Sequence, residues 1–206
     1  LGIRRSGDSG ATWERVVLPP DELTSITPDS SYDFRVEPQR GGSGELNHMG
    51  FAVLVASDGV VWAGTPAGVN RSTDGGLSWT RFSNEGSSSS PPGDWVVSIE
   101  EDTTPAGDGA VWMATWNSGA SGSGGQFGVA VTIDGGERFR QHLLGERIYD
   151  FAFDDGTVYA AAESGLFVAR DAYGDAVTWS RISHFADAAQ PRSEEHTSEL
   201  QSQFRI

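Results

Sequence analysis

Apolar runs of five or six residues, separated by clusters of Gly, Asp and Ser, recur along the chain from residue 51 to residue 182. They are too short for helices and rich in Val, Trp and Phe, which predicts strands. They fall into groups of four. The first complete group is "FAVLVA" (51–56), "VVWAGT" (60–65), "GVNRS" (68–72) and "SWTRF" (78–82). The second is "WVVSIE" (95–100), "AVWMAT" (110–115), "FGVAVT" (127–132) and "RFRQHL" (138–143). The third is "IYDFAF" (148–153), "TVYAAA" (157–162), "GLFVAR" (165–170) and "VTWSRI" (177–182). Ahead of them, "LGIRRS" and "TWERVV" read as the last two strands of an incomplete unit.

The turns repeat along with the strands. Asp58-Gly59-Val60-Val61-Trp62, Asp108-Gly109-Ala110-Val111-Trp112 and Asp155-Gly156-Thr157-Val158-Tyr159 share one pattern, Asp-Gly-x-Val-aromatic. Asp-Gly ahead of β-formers predicts a hairpin turn, since Gly accepts the positive φ such turns need. Four antiparallel strands recurring about every 40–50 residues are the sequence signature of propeller blades. The predicted fold is therefore all-β, a β-propeller fragment of about three and a half four-stranded antiparallel blades. The units lie at about 1–18, 51–83, 95–143 and 148–182, with an insert at 19–48, in one domain over 1–191.

A second motif closes each unit. Ser6, Asp8, Gly10 and Trp13 have the same spacing as Ser72, Asp74, Gly76 and Trp79, and as Thr132, Asp134, Gly136 and Phe139. A fourth copy is widened, because Asp171 and Trp179 are eight residues apart where the other copies have five. The carboxylate in such a turn accepts hydrogen bonds from turn N–H groups, the Gly takes a conformation closed to other residues, and the aromatic packs below the hairpin. The motif holds the fold.

Ser/Thr-x-Asp-x-Gly-x-x-Trp resembles the Asp-box, or BNR repeat, of sialidases, some xyloglucan-degrading glycosidases, sortilin-like receptors and many secreted propellers. The resemblance implies that the box hairpin joins the third and fourth strands of each blade at its periphery, away from any active site. It also implies an extracellular or periplasmic, bacterial setting. A sialidase would add an arginine triad, a Tyr/Glu pair and an acidic proton donor, and a xyloglucanase two opposed carboxylates. None of these motifs is matched in this chain.

Composition narrows the partners. The net charge is −15, and all 14 basic residues are Arg. That balance argues against nucleic acid and anionic membranes, and suits cationic or neutral partners. No apolar run is long enough to span a bilayer, so no membrane insertion is expected. The absence of Cys removes disulfides, thiolate metal sites and Cys nucleophiles. The four His are isolated, and neither a calcium-loop spacing nor a phosphate-binding Gly loop occurs, so no metal and no cofactor are expected.

Both ends carry their own expectations. The chain begins at Leu1, which suggests a truncated N-terminus. Residues 192–202, "RSEEHTSELQS", resemble the translation of a common sequencing adapter, so 192–206 is expected to be a non-native tail on a fragment of a larger protein.

Function is expected in the long connections. Strand parity places the inserts 19–48, 84–94 and 117–126 at the end opposite the boxes, and only "EDTTPAGDG" (101–109) enlarges the box end. Candidate ligand contacts are Arg35, Glu37 and His48 in the first insert, and Trp95 and Trp116, which flank the other two and offer rings for a sugar. Asp150, on an innermost strand, is a candidate channel carboxylate. The reading that follows is a non-catalytic ligand-binding, sensing or scaffold module of a larger secreted or surface protein, taking a carbohydrate or protein ligand. The alternative is a glycoside hydrolase.

Overall fold

In a computed structural model of the chain, which describes residues 2–31, 45–117, 125–174 and 176–182, the predicted hairpins form where the Asp-Gly and box turns place them. The strands are β1 (Arg4–Arg5), β2 (Glu14–Arg15), β3 (Ser25–Ile26), β4 (Ala52–Val55), β5 (Val61–Thr65), β6 (Gly68–Ser72) and β7 (Trp79–Phe82). After them come β8 (Trp95–Asp102), β9 (Ala110–Trp116), β10 (Gly128–Thr132) and β11 (Arg140–His142). The last group is β12 (Ile148–Asp154), β13 (Thr157–Ala162), β14 (Gly165–Ala169) and β15 (Trp179–Ile182). Helix is confined to one 3₁₀ turn, Leu46–His48, among the described residues.

Every pairing is antiparallel and nearly all join sequence neighbours. β8-β9-β10-β11 and β12-β13-β14-β15 are four-stranded meanders, and β4-β5-β6-β7 is a third. β1 and β2 form a separate two-stranded ribbon. The molecule is thus all-β and compatible with a propeller-like fragment. The third and fourth sheets share a register irregularity near the start of the inner strand, between Val96 and Ser98 and between Ile148 and Asp150. Such a bulge bends the strand and re-aims the side chains after it.

The insert 19–48 departs from a plain loop. Part of it returns as β3, which pairs with β7 through Ser25↔Thr80 and Ile26↔Trp79 and makes the second sheet five-stranded. The insert 84–94 also follows a sheet edge. The Ser89 carbonyl accepts the Phe139 N–H at 3.0 Å, and Gln141 Nε2 donates to the Ser87 and Ser90 carbonyls. Both segments begin at the end away from the boxes and then run along the outer strands. Residues 118–124 of the third insert, the adapter-like tail, and the candidates Arg35 and Glu37 lie outside the described residues.

Consecutive sheets pack face to face. Trp62, Val69, Val96, Ile99, Met113 and Phe139 fill the space between the second and third sheets. Trp112, Val129, Ile148, Val158 and Phe167 fill the space between the third and fourth. Val16, Leu18 and Ile26 cover the second sheet beside Trp79. Trp62 and Trp112 follow the same Asp-Gly turn in successive repeats and are both fully buried. Each supplies one of the larger apolar contributions to its layer. The matching positions Val53, Ile99 and Phe151 behave differently: Ile99 and Phe151 are buried under a neighbouring sheet, whereas Val53 is 58% exposed.

Candidate functional site

The box hairpins are closed by their own side chains. Ser72 Oγ donates to Asp74 Oδ1 at 2.8 Å and accepts the Gly76 N–H at 2.8 Å. Asp74 Oδ1 also accepts the N–H groups of Leu77 and Ser78 at 3.0 and 2.9 Å. Ser6 and Asp8 repeat this set, with Thr12 N–H and Oγ1 as donors to Asp8, and Thr132 and Asp134 repeat it with the Arg138 N–H. Trp13 and Trp79 each donate their indole N–H to the carbonyl of the box glycine at 3.1 Å. Gly10, Gly76 and Gly136 sit at φ between 91° and 95°, which only Gly holds without strain.

These contacts set the electrostatics of the turn. The Thr12 hydroxyl and N–H hold the Asp8 carboxyl down to about 2, and the Ser78 N–H does the same for Asp74. For Asp134, partial burial opposes the shift, but the Arg138 N–H and the Thr132 hydroxyl outweigh it and the pKa is lowered. All three carboxylates are ionised and occupied by the turn. The widened fourth copy has Ala169 in place of the hydroxyl residue, and the buried Trp179 Nε1 has no partner among the described residues.

At the opposite end the inner strands bring together residues from distant parts of the sequence. Trp95 and Trp116 are direct cross-strand partners on β8 and β9. The Trp95 ring meets Phe51 edge-on at 5.7 Å. Trp116 meets Tyr149 at 5.5 Å and Phe127 at 6.4 Å, and its Nε1 donates to the Ile148 carbonyl at 2.7 Å. The Arg147 guanidinium lies over Trp116 and Phe127, at 5.2 and 4.7 Å from the ring centroids. Phe51 and Tyr149 remain 41% and 46% exposed, so part of the cluster faces solvent.

Asp150 follows Tyr149 on β12 and is exposed, with Oδ1 accepting its neighbour's Phe151 N–H at 3.0 Å. A second inner-strand carboxylate joins it. Burial, and then the negative charge of Asp150, push the Glu100 carboxyl above the usual range. Sequence reasoning missed Glu100. The available signal was its place on the innermost strand, directly opposite Trp112.

His48 has a different role. It is 8% exposed, and its Nε2 lies 2.8 Å from the Leu18 carbonyl. Beside it the buried Asn47 donates to the Pro19 carbonyl at 2.7 Å and to Asn70 Oδ1 at 2.8 Å, while Thr65 Oγ1 donates to Asn47 Oδ1 at 2.7 Å. This network pins the return of the insert onto β5 and β6, so His48 serves the fold. Asn70 is fully buried in this network.

A cavity of about 520 Å³ lies at the box end between the second and third sheets. It is lined by the turns at 56–60 and 101–109, by Arg71 and by the third box. Among the described residues no helix is long and apolar enough to cross a membrane. No known family profile and no curated protein sequence matches this chain.

Proposed function

We propose that the chain is an Asp-box β-propeller segment acting as a non-catalytic ligand-binding module of a secreted or surface protein, in an extracellular or periplasmic setting. The observation that carries this reading is the half-exposed aromatic cluster of Phe51, Trp95, Trp116 and Tyr149, with Asp150 beside it. Exposed rings next to carboxylates suit a neutral carbohydrate, whose apolar ring face stacks while its hydroxyls bond the acids. The box turns have their polar groups committed to themselves and contribute no contacts to it.

Titration with cellotetraose, followed by tryptophan fluorescence and calorimetry, tests the proposal. Saturable binding is expected, weakened about tenfold or more by Trp116→Ala or Tyr149→Ala, in line with an aromatic anchor, and unchanged by Ser72→Ala. Binding that ignores Trp116 and Tyr149 would remove this surface as the site. No saturable binding would leave a protein ligand as the partner class.

A hydrolytic reading draws support from one feature, the Glu100 and Asp150 pair. Burial and the Asp150 charge raise the Glu100 pKa, the direction that general acid catalysis of glycoside cleavage calls for. Release of product from fluorogenic glycosides, abolished by Glu100→Gln, would establish it.

A further inference from the structure

Arg71 precedes the Ser72 box as Arg5 precedes the Ser6 box, and the two arginines are equivalent by repeat. Arg5 Nη1 donates to the Gly75 carbonyl in the next box at 3.0 Å, and its Nε pairs with Glu14 at 2.6 Å. Arg71 approaches the corresponding turn, since a Cβ on Gly135 would lie 3.3 Å from Nη2. It makes no hydrogen bond or ion pair there, and none elsewhere among the described residues. Its Nε is shielded from solvent without a partner, and its guanidinium lies 6.0 Å from the centroid of the Trp62 ring.

That guanidinium lines the 520 Å³ cavity, whose volume is in the range of small-molecule sites. Three acidic residues line the same cavity, Asp58, Glu101 and Asp108. Glu101 is spent on the fold, accepting from Ser57 N–H and Oγ at 2.8 and 2.6 Å. Asp58 gives Oδ1 to the Val60 N–H and keeps Oδ2. Asp108 sits at a turn tip with φ 45°, and its carboxylate has no partner among the described residues. We infer that this cavity binds a small zwitterion of the amino-acid class, its carboxylate held by Arg71 and its ammonium by Asp58 and Asp108.

The charges select this class. A guanidinium with unused donors presents a fork matched to a carboxylate. A ligand carrying only a carboxylate would add a fourth negative charge to a cavity that already holds three against one. An added ammonium offsets that charge at the turn tips, and a second ammonium on the side chain improves the match. A basic amino acid is therefore the best probe. The site lies at the opposite end of the sheets from Trp95 and Trp116, so it does not depend on the carbohydrate reading.

Calorimetric titration of the full chain with L-lysine at pH 7 tests the inference, alongside 1,5-diaminopentane, hexanoate and D-glucose. L-lysine is expected to bind saturably, and the diamine and hexanoate at least about tenfold more weakly, as expected when one charge-assisted contact is lost. Arg71→Met and Asp108→Asn should each weaken L-lysine by about tenfold or more. Trp116→Ala should leave it unchanged. Arg71→Lys keeps the charge without the fork and should fall between. Should Arg71→Met fail to fold by thermal melt, Arg71→Lys and the exposed Asp108→Asn carry the test. Absence of saturable L-lysine binding up to on the order of 10 mM, the weak limit of specific recognition, would overturn the inference. So would L-lysine affinity indifferent to both Arg71 and Asp108. Hexanoate binding as tightly as L-lysine would reduce the site to a carboxylate site, and Arg71-dependent binding of glucose would make it a polyol site; either result overturns the zwitterion.

Discussion

Ser72 is 1% exposed, and its hydroxyl donates once and accepts the Gly76 N–H, so the box depends on it as much as on the aspartate. Ser72→Ala leaves a turn N–H without its acceptor and should cost about 1–2 kcal/mol, read from urea unfolding. The aspartate makes the turn pH-sensitive. Asp74 has its pKa depressed to about 2 from an ordinary 3.8, so its contribution is in place above about pH 4 and is lost as the pH falls toward 2. Asp74→Asn should lower stability at pH 7 and flatten that acid limb in a melt series; an unchanged limb would mean the carboxylate does not hold the turn. Glu100 works in the opposite sense. Its folded pKa is raised, so folding favours the protonated form, and the stabilisation is full below the unfolded pKa and lost as the pH rises through the folded one. Glu100→Gln should therefore raise the melting temperature at pH 7 and leave it nearly unchanged at pH 3. Equal effects at both values would show that folding does not raise the Glu100 pKa.

The hairpins were legible because their determinants are local. Asp-Gly turns, box spacing and apolar alternation each lie within about a dozen residues, and every predicted strand from 51 to 182 has its counterpart in β4–β15. β3 was not legible, since Ser25–Ile26 is a strand only by pairing with Trp79 and Thr80 across more than fifty residues. The inserts 19–48 and 84–94 leave the sheets at the end opposite the boxes, as strand parity places them. Their paths along the sheet edges depend on donors at β7 and β11, since the Arg81 and Phe139 N–H groups donate to the Thr24 and Ser89 carbonyls. Trp95 and Trp116 were recognisable as candidates, whereas the burial of His48 and the pairing of Glu100 with Asp150 needed three dimensions. The turn joining β8 to β9 shows how tight such elements become. A Cβ on Gly107 would overlap the Asp102 carboxyl, which is fully buried and bonded to the Thr104 N–H at 2.9 Å. Gly107→Ala should cost roughly 1–3 kcal/mol through overpacking, and more if Asp102 loses a bond. A neutral result in urea unfolding would mean that the turn can swing aside.

Across the whole molecule, stability passes from one sheet to the next through interfaces, each closed by a contact at the box end. Arg5 reaches from the first ribbon to Gly75, and Ser57 meets Glu101 between the second and third sheets. Between the third and fourth, the widened box supplies Tyr173, whose hydroxyl donates to Asp102 and accepts the Trp112 indole N–H at 3.0 Å. Burial, and then the hydrogen bond to Asp102, push the Tyr173 pKa up, so the phenol stays a donor at any ordinary pH. The residues that break the box pattern thus make a cross-link that the regular copies lack. Tyr173→Phe keeps the ring against Trp112 but leaves a buried carboxylate one donor short and an indole N–H without an acceptor, a loss of roughly 1–3 kcal/mol. In an array whose sheets contact only their neighbours, that loss should remain local. Hydrogen exchange should speed up in 110–116 and 157–169, on the two sides of the interface, while 61–72 keeps its protection. Equal acceleration in all three segments would instead make the chain one cooperative unit, and the sheet-by-sheet account of its stability would fail.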